Sequence, residues 1–351
     1  MAGGGSGGHV IPLLAVAREL REHGHECTFI GTRTGFEARL VPAAGFPLEF
    51  IDIGGLKRVG LSRTFRTLMQ LPRSTLSVLR SFDRLTPSAV FSLGGYAAGP
   101  VVAAAWWAKV PIAIMEPNAM PGFTNRRIAR AVSRALLNFP EAARFFPKGR
   151  SEVTGVPVRR EFFEIAPKQF ANPPVVLITG GSQGSRTLNE AARASWRYFR
   201  ESGVPVYFLH QTGRNNHEQI AREFAETGLA GEVVQFIEDM PAAFARADLV
   251  VCRAGAGTLA EVAAAGRASV LVPLPTAADN HQFHNAQAFE RAGAARVVLD
   301  REMNGSRLFD EFKALTADPA ELSRMGAKAQ SFAHPGAARR AADILVEVAS
   351  A

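Results

Sequence analysis

Short apolar runs alternate with longer amphipathic stretches along the whole chain. In the first half the runs lie at 26–31, 48–53, 89–95, 111–116, 135–138 and 152–155; in the second, at 173–181, 204–213, 233–239, 248–255, 268–274 and 295–299. Runs of four to ten largely apolar residues, bounded by Gly and Pro and separated by helical spacing, read as strands of parallel sheets covered on both faces. The fold class expected is therefore α/β. Each half opens on a glycine-rich turn that leads into a helix, at 3–24 and at 180–199, a weak internal repeat that reads as two nucleotide-binding-type folds facing each other across a cleft. A break carrying Pro157, Pro167, Pro173 and Pro174 places the linker near 160–173. The expected division is 1–160 and 161–335, with a last helix at 336–351 routed back over the first domain through Ala341, Ile344, Leu345 and Val348.

Composition narrows the function classes. At 351 residues, 47% hydrophobic and 21% charged, the chain is long enough for two domains. Its longest charge-free stretch, 85–108, is broken by Pro87, Gly94, Gly95 and Pro100, so no membrane-crossing helix is expected. The opening residues have neither a basic nor an apolar leader region, which points to a cytoplasmic location. Cys27 and Cys252 sit in apolar runs and read as buried free thiols. The net charge of +8 is unevenly spread: residues 1–160 hold 21 basic and 10 acidic residues, residues 161–351 hold 19 and 22. Within the basic half, Lys57, Arg58, Arg63, Arg66, Arg73, Arg80 and Arg84 face one nearby acid, Asp83, and interleave with Phe65, Leu68, Met69, Leu71, Leu76, Leu79 and Phe82. Arginines flanking an apolar edge at helical spacing suit an anionic lipid surface. No zinc-finger, RNP or helix-turn-helix signature speaks for nucleic acid. A core-packing helix with a basic outer side explains the same pattern.

Two loops carry chemistry. The turn Gly3-x-Gly5-x-x-Gly8 matches a dinucleotide fingerprint literally, but the second strand ends in Gly31, Thr32, Arg33 without the acid that would hold a ribose. It does place His9 at a helix start, where the dipole disfavours imidazolium, as a general base requires. Capping or packing is the alternative role. The stronger run is 253–261, RAGAGTLAE, which follows a strand and opens a helix. The N–H groups from Gly255 to Leu259 and the Thr258 hydroxyl can cradle a diphosphate, and Glu261 can accept two ribose hydroxyls. Without a GxxxxGK[ST] lysine, a nucleoside diphosphate fits better than ATP. The loop 276–285 is rich in amides and imidazoles that suit sugar hydroxyls. His281 and His284 lack a third ligand, so no metal is expected; nor is a cofactor.

GGGSGGH (3–9), GGYAAGP (94–100), EPNAMPGFTNR (116–126), GVPVR (155–159), GGSQGS (180–185), HQTGR (210–214), FIEDM (236–240), RAGAGTLAE and DNHQFHNA (279–286) together resemble the MurG family, over essentially the whole chain. The resemblance implies two Rossmann-like domains of the GT-B glycosyltransferase type. It implies transfer of GlcNAc from UDP-GlcNAc to the C4 hydroxyl of MurNAc in lipid I, with inversion, at the cytoplasmic face of the bacterial plasma membrane. Lipid II for peptidoglycan synthesis, and hence cell shape and division, would follow, with partners among cell-wall or division proteins. By motif, Ser182, Gln183, Ile237, Met240, Arg253, Ala256, Gly257, Thr258, Glu261, Gln282 and Asn285 would bind the donor. Ser6, Gly7, Gly8, Tyr96, Asn118, Asn125 and Arg159 would meet the acceptor, with His9 as the base and Glu116 as second choice. Arg63, Arg66, Arg73, Leu76, Leu79, Arg80, Phe82 and Trp106 would face the membrane. Gly5-Ser6, Pro117 and His281 depart from the family's usual GGTGGH, EQN and glutamine. A UDP-sugar epimerase on the same plan, or a UDP-sugar-sensing membrane-surface protein, are the rival readings. Because Met1-Ala2 stand where the family has an apolar strand, the natural chain is expected to begin upstream.

Overall fold

The computed structural model describes residues 1–4, 7–53, 61–95 and 97–350, with the backbone alone at residue 7 and at 61–69. Its strands form two sheets in which every described pairing is parallel. One unit spans Met1–Pro157 and Gly336–Ala351; the other spans Val158–Pro335.

In the first unit the strands are β1 (Ala2–Gly3), β2 (Phe29–Gly31), β3 (Leu48–Phe50), β4 (Val90–Gly94), β5 (Ile112–Glu116), β6 (Arg134–Leu137) and β7 (Ser151–Val153). They lie in the order β3-β2-β1-β4-β5-β6-β7. Two residues thus fill the switch point of the sheet, Ala2 pairing with Ile30 on one side and Ser92 on the other. The helices are α1 (Gly7–Glu22), α2 (Glu37–Ala43), α3 (Leu61–Leu85), α4 (Ala98–Trp107) and α5 (Phe123–Ile128). Val78 and Phe82 of α3 join Val101, Val102, Ala104 and Ala105 of α4 in a core with Ile112, Ile114 and Leu137. This corrects part of the expected lipid-facing edge. Phe82 is buried and Leu79 packs against the core, because the 3.6-residue period turns both toward the sheet, whereas Leu76 stays 55% exposed.

The second unit has β8 (Val175–Thr179), β9 (Tyr207–Gln211), β10 (Ala230–Val234), β11 (Leu249–Cys252), β12 (Ala268–Leu271) and β13 (Arg296–Val297), in the order β10-β9-β8-β11-β12-β13. Around them run α6 (Arg186–Ser202), α7 (His217–Ala225), α8 (Met240–Arg246), α9 (Ala256–Ala265), α10 (His281–Arg291), α11 (Gly305–Thr316) and α12 (Pro319–Gln330). Phe199 centres the core, with ring centroids 5.2 Å from Phe208, 4.9 Å from Phe309 and 5.1 Å from Phe312. Strand β10 begins earlier than the apolar run at 233–239 suggests. Ala230-Gly231-Glu232 has little strand propensity, yet Gly231 fits because a Cβ there would stand 2.5 Å from the Phe208 carbonyl oxygen.

The proline-rich segment after 157 is not a free linker. Buried Asp248 accepts from the Val175 N–H at 2.7 Å and the Ala171 N–H at 3.2 Å and pairs with Lys168. Arg267, also buried, donates to the carbonyls of Ala166, Phe244, Ala245 and Ala265. Phe162 sits edge-on to Phe244 at 5.3 Å. These bonds tie residues 158–175 to the second unit, and the chain passes between units at Pro157–Val158. Beyond Pro335, α13 (Ala337–Ala349) buries Ala341, Ile344, Leu345 and Val348 and packs on α1, β5 and β6. Arg340 holds it to β7 with a two-pronged bond to Glu152, Nε to Oε1 at 2.7 Å and Nη2 to Oε2 at 2.9 Å.

Candidate functional site

The carboxyl edge of the second sheet carries most of the predicted donor residues. Strand β11 runs straight into α9, whose N-cap, Gly255, is extended (φ −68°, ψ 143°) and supplies no side chain. The first helical bond returns from the Leu259 N–H to the Gly255 carbonyl at 3.0 Å. The N–H groups of Ala256, Gly257 and Thr258 therefore precede the helical ladder, and a Cβ added at Gly257 would meet nothing within 4 Å. Open space, unpaired helix-start donors and the positive end of the dipole make a seat for an anion. Glu261, one turn on, is half-buried; burial pushes its carboxyl up to about 7, against the opposing pull of Arg159.

Neighbouring strands end in loops that flank this seat. In the 180–185 turn, Ser182 and Gln183 are exposed, and Ser185 caps α6 by accepting from the Leu188 N–H at 3.3 Å. Gly213, at φ +77°, packs so closely beneath this turn that a Cβ on it would lie 2.5 Å from the Gln183 carbonyl oxygen. Ile237 is half-buried, and Met240 opens α8 under an Asp239 cap to the Ala242 N–H at 3.0 Å. His210 belongs to the core: its Nε2 lies 3.0 Å from Asn189 Oδ1, and burial holds its pKa down at about 3.

Three predicted donor-side or acceptor-side contacts are placed otherwise. Arg253 donates from Nη1 to the carbonyls of Val272 and Pro273 and to Asp300, so this end of its guanidinium braces the β11, β12 and 300–302 loops. Asn285 is wholly buried and donates to the Ala254 carbonyl at 3.2 Å; it fastens α10 beneath the α9 entry and is closed to a sugar. Arg159 belongs to the second unit, with its guanidinium 5.2 Å from the Phe162 ring and its charge acting on Glu261. Gln282 remains by the seat: its Oε1 accepts from the Leu274 N–H at 3.0 Å, and its Nε2 would lie 4.0 Å from a Cβ on Gly255. Asp279 and Asn280, both left-handed (φ +52° and +53°), turn the chain into α10 ahead of it.

In the first unit, His9 is half-buried near the start of α1, with Nδ1 3.3 Å from the Gly4 carbonyl oxygen. A Cβ on Gly95 (φ +83°) would collide with that same carbonyl at 2.8 Å. Glu37, which the sequence reading passed over, tucks its buried carboxylate against Gly4 and Gly31 and accepts from the Thr32 N–H and hydroxyl, both at 2.9 Å. The acid missing from the end of β2 is thus supplied by α2, turned inward. Glu116 is buried at the end of β5. Its Oε1 accepts from the Asn118 N–H and side-chain amide, its Oε2 from the Gly122 N–H at 3.0 Å and Asn125 Nδ2 at 2.8 Å. Burial raises its pKa and these bonds oppose the rise. Glu116 therefore shapes the 117–125 loop from within, a geometry unsuited to taking a proton from a bound substrate. Gly8 is exposed and Gly7 starts α1, while Ser6 and Tyr96 lie outside the described residues.

On the outer side of α3, Arg73, Leu76 and Arg80 are exposed; the side chains of Arg63 and Arg66 lie outside the described residues. On α4, which packs beside α3, Trp106 is 66% exposed, and Trp107, not singled out from sequence, is 74% exposed. Cys27 and Cys252 are free and buried, and burial pushes the Cys252 thiol up to about 12. Among the described residues no cluster of His, Cys, Asp and Glu could hold a metal, and no helix is long and apolar enough to cross a membrane.

Known proteins resemble this chain over its full length. The family model for the glycosyltransferase family 28 N-terminal domain matches residues 1–137, and that for the C-terminal domain matches residues 175–341. A UDP-N-acetylglucosamine--N-acetylmuramyl-(pentapeptide) pyrophosphoryl-undecaprenol N-acetylglucosamine transferase of Solibacter usitatus is 62% identical over 349 residues, covering 99% of this chain and 95% of its own. A protein of the same name from Myxococcus xanthus is 41% identical, covering 99% and 92%. Among solved structures, Acinetobacter baumannii MurG superposes with a TM-score of 0.83 at 35% identity, covering 99% of this chain and 98% of that one. A UDP-GlcNAc 2-epimerase from Neisseria meningitidis (TM-score 0.65, 12% identity) shares the fold alone. With both domain models matched in order and full-length relatives at this identity, the chain belongs to glycosyltransferase family 28 and, within it, to the MurG family.

Proposed function

We propose that this protein transfers GlcNAc from UDP-GlcNAc to the C4 hydroxyl of MurNAc in lipid I, with inversion at C1, yielding lipid II and UDP. One observation carries the donor half: the uncapped α9 N-terminus beside Glu261. A diphosphate sits on the N–H groups of Ala256–Thr258 and the Thr258 hydroxyl, the ribose diol on the ionised Glu261, and the sugar by Gln282. Ser182 and Gln183 close over the nucleotide, and Ile237 and Met240 line the base. Arg253 holds the loops in place.

The acceptor belongs to the first unit, around Gly7, Gly8, His9 and the 117–125 loop. As the C4 oxygen bonds to C1, the bond from C1 to the diphosphate oxygen breaks and UDP leaves with the electron pair. A proton on Nδ1, shared with the Gly4 carbonyl, leaves the basic lone pair of His9 on Nε2, which receives the C4 hydroxyl proton. The α9 dipole and N–H groups stabilise the departing diphosphate, whose charge grows as the bond lengthens. Asn118 and Asn125 keep the acceptor loop in shape through Glu116. Exposed Leu76, Trp106 and Trp107, with Arg73 and Arg80, suit an anionic membrane surface at which a lipid-linked acceptor resides.

Transfer of labelled GlcNAc from UDP-GlcNAc to a lipid I analogue tests this reading. Wild-type protein is expected to transfer, and His9→Ala to lose about 10²–10⁴-fold in turnover with UDP affinity unchanged. Ordinary turnover by His9→Ala would remove His9 as base. UDP-GlcNAc bound without transfer would favour a sensing role, and interconversion of the sugar without an acceptor would favour epimerisation.

A further inference from the structure

Three strand ends stand level at the carboxyl edge of the second sheet. Thr179 ends β8, Gln211 ends β9 and Val234 ends β10, with Gln211 in register with both neighbours. The loop at 180–185 follows the first of these, and the loop at 235–239 follows the last. Because β9 lies between β8 and β10, these two loops are separated by a whole strand, and their spacing must be set from the end of β9.

The Gln211 side chain is placed to set it. It is buried, and its Nε2 donates to the Gly181 carbonyl at 3.0 Å and to the Thr179 hydroxyl oxygen at 3.2 Å. Its Oε1 accepts from the Ile237 N–H at 2.8 Å. The Thr179 hydroxyl oxygen in turn accepts from the Gly181 N–H at 3.1 Å, so the 180–185 turn is tied on both sides of Gly181, at its N–H and at its carbonyl. Backbone bonds from Thr212 to Val234 and from Gly213 to Gln235 fasten β9 to the start of the last loop but stop short of Ile237. A carboxamide is the group that can do this. It presents donors on one side and an acceptor on the other, whereas a carboxylate lacks the donors and an ammonium the acceptor.

We infer that Gln211 is the positioning residue of the donor site, its one amide holding the 180–185 and 235–239 loops at the separation a nucleotide requires. Gln211 touches no substrate in this scheme; it acts through the Gly181 peptide and the backbone of Ile237. The inference rests on the proposed donor role of those loops and assigns the strut that makes them one site.

UDP titration by calorimetry, with steady-state kinetics against both substrates, tests it. Gln211→Leu removes all three bonds of the amide, Gln211→Glu keeps the one from Ile237, and Thr179→Val removes, at similar volume, the bond from Gln211 and the one from the Gly181 N–H. UDP affinity is expected to fall about tenfold to a hundredfold for Gln211→Leu, less for Gln211→Glu and least for Thr179→Val. The KM for UDP-GlcNAc should rise in the same order, with kcat and the acceptor KM unchanged. Adding Thr179→Val to Gln211→Leu should cost less than Thr179→Val alone, since the Gln211 bond to the hydroxyl is already gone and only the one from the Gly181 N–H remains to be lost. Losses spread equally over kcat and both KM values would show a general scaffold residue and overturn the inference, as would UDP bound equally by wild type and variants. If Gln211→Leu does not fold, Gln211→Glu and Thr179→Val decide on the same criteria. Wild-type protein that binds no UDP would overturn the functional reading itself, and this inference with it.

Discussion

Replacing Glu261 with glutamine should make the protein more stable and a poorer binder of UDP, and the gain in stability should vanish in acid. Burial raises the Glu261 carboxyl from its ordinary 4.5 to about 7, so keeping it ionised at high pH costs about 3 kcal/mol. The sign follows from linkage. The folded protein binds this proton more tightly than the unfolded chain, so the cost is absent below about 4.5, grows as pH rises toward 7 and is complete above it. Glu261→Gln keeps the volume and removes the charge. At pH 8, without nucleotide, the second unit should gain about 1–3 kcal/mol, or about 3–8 °C in melting temperature. At pH 5 the variant and wild type should melt nearly together. UDP affinity at pH 8 should fall about 5- to 100-fold as the ribose loses its charged acceptor. In the wild type alone, affinity should weaken as pH drops through 7. Calorimetric melts at the two pH values, paired with UDP titrations, read both effects. A variant that melts at or below wild type at pH 8, or gains equally at pH 5 and 8, would refute the buried-charge account. Unchanged UDP affinity would refute the ribose assignment.

Other substitutions separate surface from core and test the fastening of the 158–175 segment. Leu76→Ser with Trp106→Ser should weaken binding to anionic vesicles severalfold in a sedimentation assay and leave the melting temperature within about 2 °C, because both side chains are already in water. Phe82→Ala, six residues along the same helix, should instead cost about 3–5 kcal/mol in denaturant unfolding; a loss under 1 kcal/mol would mean that Phe82 is not core. Asp248→Ala leaves the Val175 and Ala171 N–H groups without their acceptor and the Lys168 ammonium with the Arg246 carbonyl but no counter-charge, and should cost about 3 kcal/mol and raise proteolysis between 158 and 175; an unchanged digestion pattern would contradict this fastening.

Much of this was legible because the physics is local. Parallel strands buried on both faces leave continuous apolar runs, and a helix that opens on Gly255-Ala256-Gly257-Thr258 announces its own anion seat. What escaped depends on direction or on partners distant in sequence. Phe82 and Leu76 are equally apolar, and only the packing of α3 on α4 decides which one is buried. Arg253 reads as a phosphate ligand until Asp300, 47 residues away, takes its Nη1. The prolines at 157–174 look like a linker because nothing near them shows that Asp248 and Arg267 will bind that backbone. Ala230-Gly231 hides a strand whose fit depends on the Phe208 backbone. Gln211 was visible only as part of a motif; its three partners lie 26 to 32 residues away.

The return of α13 to the first unit bears on how the polypeptide acquires its form. The second unit is one continuous stretch, Val158–Pro335, whereas the first closes only when residues 337–349 reach α1, β5 and β6. During synthesis the domain that is begun first is therefore finished last. Until then, the apolar surface that Ala341, Ile344, Leu345 and Val348 will cover stands open to chaperones or to another nascent chain. The Arg340–Glu152 clasp, joining residues 188 positions apart, is accordingly among the latest contacts to form and a natural marker of completed folding.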